Sequence, residues 1–280
     1  MNRYLKLVNF EINRFAKLFA VLLGITLVAQ VVGVIVMSKQ YLDRANERIY
    51  GNSVDPLSMD EFLSQRGPMS FGDIVHSVWF LGPIALCIAA IAFYVFFIWY
   101  RDWFGKNTFI YRLLMLPTIR LNVFFAKITT ILLTTFGFVA FQLILFPIET
   151  TILTWMVPSE FRLDLGIQEI LASMPYLETI IPTSFMGFVL YYAAGLMVVS
   201  ILFTAILFER SYHWKGIIVG TIYSLLAIAI FILPLLLQEL VLIQFFYPLE
   251  LLGLEVVMGI IVFAGSIWMS GFLLKKKITV

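Results

Sequence analysis

Polarity in this chain changes in long blocks rather than with a short period. Apolar stretches of spanning length alternate with short segments that carry nearly all of the charge. A bilayer core calls for about 17–25 apolar residues per helix. Six stretches meet that length: residues 15–37, 74–100, 128–151, 180–207, 217–237 and 251–274. The pattern predicts an all-α integral membrane protein built as one six-span domain over residues 1–280. The first stretch is longer than the apolar region of a signal peptide and has no small-x-small cleavage site, so it is expected to stay as a span.

Composition narrows the class. Of 280 residues 61% are hydrophobic and 13% charged, and the mean hydropathy is +0.98. Soluble domains run near 45–50% apolar and 25% charged, so a soluble globular fold is excluded. Cys87, in the second apolar stretch, is the single cysteine. It cannot form an intramolecular disulfide and reads as a small packing residue.

The net charge of +2 matters less than its distribution. With the N-terminus placed in the cytoplasm, Lys39, Arg44, Arg48, Arg66 and Arg162 fall outside, and the rest of the 19 basic residues fall inside. Of the 17 acids only Glu11, Asp102 and Glu209 fall inside. The excess of Lys and Arg on one side sets orientation, so both termini are expected in the cytoplasm.

Four segments between or before the spans carry further expectations. Residues 2–17 are amphipathic, with Tyr4, Leu5, Val8, Ile12, Phe15 and Phe19 on one helical face and Lys6, Asn9, Asn13 and Lys17 on the other. This predicts an interfacial helix over 2–14 on the inner leaflet, the alternative being a simple basic anchor. Outer loop 38–73 is polar and mixes acids and arginines with Gly and Pro, as in a helical extension followed by a small cap. Residues 158–178 form an acidic outer segment with a short surface helix. Residues 238–250 are apolar but too short to cross. They read either as a re-entrant segment, which protein or a wet cavity must cover, or as an interfacial helix.

The inner segment 101–127 is the most informative. It is too polar to cross a bilayer and too apolar for an ordinary loop. Residues 108–115 can form about two helical turns, with Phe109, Leu113 and Leu116 on one face and Thr108, Arg112 and Met115 on the other. Pro117 disfavours helix at Leu116, and Thr118 can cap the next one. A short, partly apolar helix flanked by Lys106, Arg112, Arg120 and Lys127 suits docking onto a soluble partner. The inner turn Glu209-Arg210-Ser211-Tyr212-His213-Trp214-Lys215 reads as interfacial anchoring by Tyr212 and Trp214. The sharper alternative is a second partner contact through Arg210, His213 and Trp214.

Absences limit the chemistry. His76 and Glu255 lie near span ends, and no ionisable group is expected at mid-span, where ion-coupled transporters and pumps place them. No phosphate-binding loop is present: around Gly105-Lys106, Asn107 stands where Ser or Thr is needed and Tyr100 where the first Gly belongs. There is no H-E-x-x-H or G-x-S-x-G motif, and His76 and His213 are expected on opposite sides of the membrane. No catalytic residue or metal site follows, and no substrate-binding residue can be named. Gln30, Gln142, Thr183, Ser184, Thr204 and Ser224 read as interhelical glue, and Pro83, Pro147 and Pro234 as kink points. The halves share no repeat, so an inverted-repeat transporter is not indicated.

Leu116-Pro117-x-x-Arg120, after a short helix and before Lys127 at the head of a span, resembles the loop between the second and third spans of type-2 ATP-binding-cassette permeases of the bacterial exporter kind. The six-span layout extends the resemblance over the whole chain. It implies that segment 101–127 is a coupling helix seated on a cytosolic ATPase, with Lys106, Arg112, Leu116, Pro117, Arg120 and Lys127 as coupling residues. It further implies a dimer of permease subunits, identical or not, in the cell membrane, with ATP and Mg bound by the partner ATPase. The 27 phenylalanines and uncharged spans suit amphipathic or hydrophobic cargo such as peptides; lipid or cell-wall intermediates and drugs are the alternatives. A membrane anchor or sensor that recruits a cytosolic regulator without transport would share the docking loop. A membrane-embedded enzyme would need a nucleophile or metal set that the sequence lacks.

Overall fold

The computed structural model describes residues 3–51, 57–103, 113–115, 119–172, 174–240 and 245–278. Nearly all of them are helical. Five helices are long and apolar enough to cross a membrane: α1 (Arg3–Ile49), α4 (Val78–Trp103), α5 (Leu121–Met156), α8 (Phe185–Leu240) and α9 (Pro248–Lys276). The protein is therefore an all-α, multi-pass membrane protein. Between them lie the short helices α2 (Met59–Arg66), α3 (Phe71–Val75), α6 (Ile167–Ala172) and α7 (Pro175–Ile180). A two-residue parallel pairing joins Met69 to Arg162 and Ser70 to Leu163.

The chain folds as two compact units. One comprises Met1–Arg14, Ile91–Leu133 and Met186–Val280, the other Phe15–Ala90 and Thr134–Phe185.

Helix α1 has 47 residues, about 70 Å at 1.5 Å per residue, more than twice the roughly 30 Å of a bilayer core. The expected interfacial helix over 2–14 is the first part of this unbroken helix. One stripe at helical spacing is buried along it: Val8, Glu11, Phe15, Leu22, Thr26, Gln30, Val34, Ser38 and Ala45. At its start, Leu7 and Val8 pack with Leu113, Val123 and Ala126. Protein thus covers much of the face expected to meet lipid, while Leu5 stays 50% exposed.

Local capping moves the start of the second apolar helix from 74 to Val78. Asp73 accepts hydrogen bonds from the backbone N–H and hydroxyl of Ser70, which starts α3. Ser77 then caps α4 through the N–H of Phe80. The cap expected in 38–73 contains α2 and α3. Their surroundings form a core of Phe71, Ile74, Phe80, Phe146 and Leu153, joined by Ile170 and Leu177 from α6 and α7. Phe71, Phe80 and Phe146 meet ring to ring at 5.9–6.3 Å. Pro83, Pro147 and Pro234 each lie within a helix.

Helix α8 is 56 residues long but carries one non-helical residue, His213, at φ 55, ψ −130. A positive φ at a residue with a Cβ is a strained turn conformation. The chain folds back there. A Cβ at Gly216 would lie 2.1 Å from the carbonyl of Phe208, and one at Gly220 2.9 Å from that of Ala205. Only glycine lets the two backbones approach so closely. The arms 185–212 and 214–240 are therefore antiparallel, and the expected inner loop shrinks to a reversal. The re-entrant expectation for 238–250 falls partly on 241–244, outside the described residues. Phe245 and Tyr247 beside that stretch are exposed, and α9 starts with Pro248 in its first turn and Glu250 accepting from the N–H of Tyr247.

Candidate functional site

Five charged side chains converge in the first unit, and three of them are buried. Glu11 follows Val8 by three residues and precedes Phe15 by four, so the helical period that buries those two buries Glu11 as well. Asp102 lies on the stripe of α4 that buries Tyr94, Val95, Ile98 and Trp99. Lys127 comes one residue after buried Ala126 near the start of α5, and is itself 0% exposed.

The Nζ of Lys127 donates to Glu11 Oε1 at 3.0 Å, Asp102 Oδ2 at 2.5 Å and the carbonyl of Ile98 at 2.7 Å. All three ammonium donors are thereby used. The carboxylates are completed from the rim. Arg14 Nη1 donates to Asp102 Oδ1, and Arg101 Nη2 to Glu11 Oε2, both at 2.7 Å. Aromatic faces line the surround: Lys127 sits 5.1 Å from the Trp99 ring centre, Arg101 5.7 Å from that of Phe97 and Arg14 5.0 Å from that of Phe10. Three cations meet two carboxylates, so the cluster keeps an excess positive charge.

The cluster brackets the basic loop. Arg101 and Asp102 stand at the end of α4, just before the loop, and Lys127 stands in the first turns of α5, just after it. Of the sequence-derived coupling residues, Lys106, Arg112, Leu116 and Pro117 lie outside the described residues. Leu113 is buried and Met115 is 68% exposed, which agrees with their expected opposite faces. Arg120 faces its own protein: its Nη1 donates to the carbonyls of Leu274 at 2.7 Å and Ile278 at 2.9 Å. These lie in the last turn of α9 and just beyond it, where carbonyls lack intrahelical partners. Arg120 thus clips the end of α9 to the entrance of α5.

The second expected contact divides. Arg210 lies 4.7 Å from the Tyr100 ring centre and 5.6 Å from that of Trp103, and the Tyr100 hydroxyl donates to Glu209. His213 sits exposed at the reversal, and Trp214 is 84% exposed. Arg210 therefore braces α4 and α8, whereas His213 and Trp214 are accessible at the reversal together with Tyr212 and Lys215.

Sequence reasoning flagged Lys127 but not its partners. Glu11 interrupting an apolar stripe was the available signal. Among the described residues no cluster of three or more His, Cys, Asp or Glu could hold a metal. No family model, curated protein or solved structure matches the chain.

Proposed function

We propose that this chain is the membrane-spanning subunit of an ATP-driven exporter, crossing the bilayer six times with both termini in the cytoplasm. The two arms of α8 support the count, since each is long enough to cross and they run antiparallel. The observation that carries the reading is the bracketing of the 101–127 loop by the Glu11–Asp102–Lys127 cluster. A push on that loop by a cytosolic ATPase is delivered to α1, α4 and α5 together, because their side chains share one buried ion network. A ligand shifts a conformational equilibrium only through different contacts in its two states, and a loop with both stems fixed on one network gives such contacts leverage. The cargo is an amphipathic or hydrophobic molecule such as a peptide, and a second permease subunit completes the passage.

The test is purification from the native host with identification of what co-purifies. A stoichiometric ATPase, lost on Leu116→Asp, is the expected result. Leu116 is the better probe, because Arg120→Glu would also release the end of α9. In reconstituted vesicles Leu116→Asp should keep the chain inserted and abolish cargo-stimulated ATPase activity. A chain that purifies alone, or with a regulator that has no nucleotide site, sinks the proposal.

A further inference from the structure

The second unit contains a cleft of about 990 Å³ at the end of α1 remote from the N-terminus, within the usual range for ligand pockets. Three arginines line it: Arg44 and Arg48, one helical turn apart on α1, and Arg66 in the last turn of α2. Among the described residues none of the three has a carboxylate within ion-pair distance. Glu47 and Asp73 also line the cleft, but Asp73 is already engaged by Ser70, and the balance stays positive.

The walls are built rather than accidental. Ser58 and Glu61 form a reciprocal cap that fixes the start of α2. The Tyr41 hydroxyl donates to the carbonyl of Gly67 at 2.9 Å, which ties the end of α2 to α1. Gly67 has φ 78, a conformation glycine adopts without strain, and it ends the helix just after Arg66. The floor is apolar: Phe62 and Met69 are each 3% exposed, and Phe62 packs edge-on against Tyr41 at 5.8 Å.

We propose that this cleft binds the phosphate head of an anionic amphiphile, with Arg44, Arg48 and Arg66 on the phosphate and the Phe62–Met69 floor under the adjoining apolar segment. Guanidinium groups present paired donors that match phosphate oxygens. The level along α1 also fits a lipid. The apolar run of α1 ends at Met37, and the Arg44 backbone lies about 10 Å further along the helix axis, just outside a headgroup layer roughly 5–8 Å deep on each face, so its guanidinium can reach back to the phosphates on its flexible stem. The inference stands on the second unit alone and does not depend on the exporter reading.

The experiment titrates the detergent-purified full chain with dihexanoyl phosphatidic acid, using dihexanoyl phosphatidylcholine and inorganic phosphate as comparison probes, read by calorimetry. The expected result is saturable binding of phosphatidic acid, at least tenfold tighter than either comparison probe. Binding should weaken at least tenfold in the R44Q/R48Q/R66Q variant and remain unchanged in K39Q, a basic residue of the same helix outside the cleft. These arginines are exposed, so the folded state should tolerate their loss, and a circular-dichroism melt superimposing on the wild type verifies this. Equal binding by wild type and the triple variant overturns the site. Inorganic phosphate binding as tightly as the lipid overturns the amphiphile and leaves a free-anion site.

Discussion

Among the described residues of the first unit, each buried charge has opposite charges within hydrogen-bond distance, as Lys127 does with Glu11 and Asp102. The second unit also buries a charged residue type, Glu149, at 0% exposure, but among the described residues neither of its carboxyl oxygens has a hydrogen-bond partner. The second unit otherwise relies on neutral amides: Gln30 Nε2 donates to Gln142 Oε1 at 3.0 Å. Breaking a buried pair leaves an uncompensated charge, whereas removing a lone buried polar group relieves a cost already present. The same kind of substitution should therefore have opposite signs in the two units.

The largest effect is expected for Lys127→Met, which removes the fully buried cation shared by Glu11 and Asp102, leaves each carboxylate only its rim arginine, and should cost about 3–5 kcal/mol. Thermal unfolding in detergent reads it. Adding Glu11→Gln and Asp102→Asn should recover a good part of the loss, and a triple variant no better than the single would refute the pairing argument. Next comes Glu149→Leu, expected to stabilise by about 1–3 kcal/mol. A loss of similar size would mean that the carboxyl has a partner, and the contrast between the units would fail. Gln142→Leu should cost about 1 kcal/mol by leaving Gln30 short of an acceptor, with Gln30→Leu added to it restoring most of the stability; a double variant that sums two losses would show independent roles.

The smallest effect concerns pH. The backbone N–H and hydroxyl of Ser58 hold the exposed Glu61 carboxyl below the usual carboxylate range. Its contribution is present above the unfolded pKa and is lost as pH falls through the folded one. Acidification should loosen the start of α2, seen as lower protection factors for the amides of residues 59–62 once the intrinsic slowing of exchange at low pH is divided out. Glu61→Gln should abolish that pH dependence, and a variant that retained it would point to another group.

Helix-length apolar blocks carried most of the fold, because a bilayer demands both length and uniformity and both are visible in one dimension. Caps were visible less directly. Ser77 lies inside an apolar stretch, so hydropathy alone extended the span back to 74. The reversal at His213 left no trace in composition, since a single residue with positive φ replaced the loop that the polar residues around it suggested. Of the candidate site, Lys127 stood out as a cation opening a span. Its partners come from distant positions, and pairing across such separations is not a local property of sequence. Glu149, within the outer end of stretch 128–151, counts in the sequence only among the acids of the outer side, yet Gln142, Phe146, Glu149 and Leu153 follow helical spacing, and Phe146 and Leu153 lie in the core of that unit. That stripe was the readable signal.

The Arg120 clip has a consequence for the order of assembly. Its partners Leu274 and Ile278 lie 154 and 158 residues along the chain, whereas the hairpin at His213 closes between near neighbours. Local contacts form early, and long loops delay closure. The hairpin can therefore close as soon as both of its arms have been made, but the clip must wait until synthesis has passed Leu274 and Ile278. The entrance of α5 therefore acquires this tether only after at least 154 further residues have been added beyond Arg120. Chains truncated before Leu274 should insert their helices yet leave Arg120 without these acceptors, a state that quality-control proteases can tell from the tethered one.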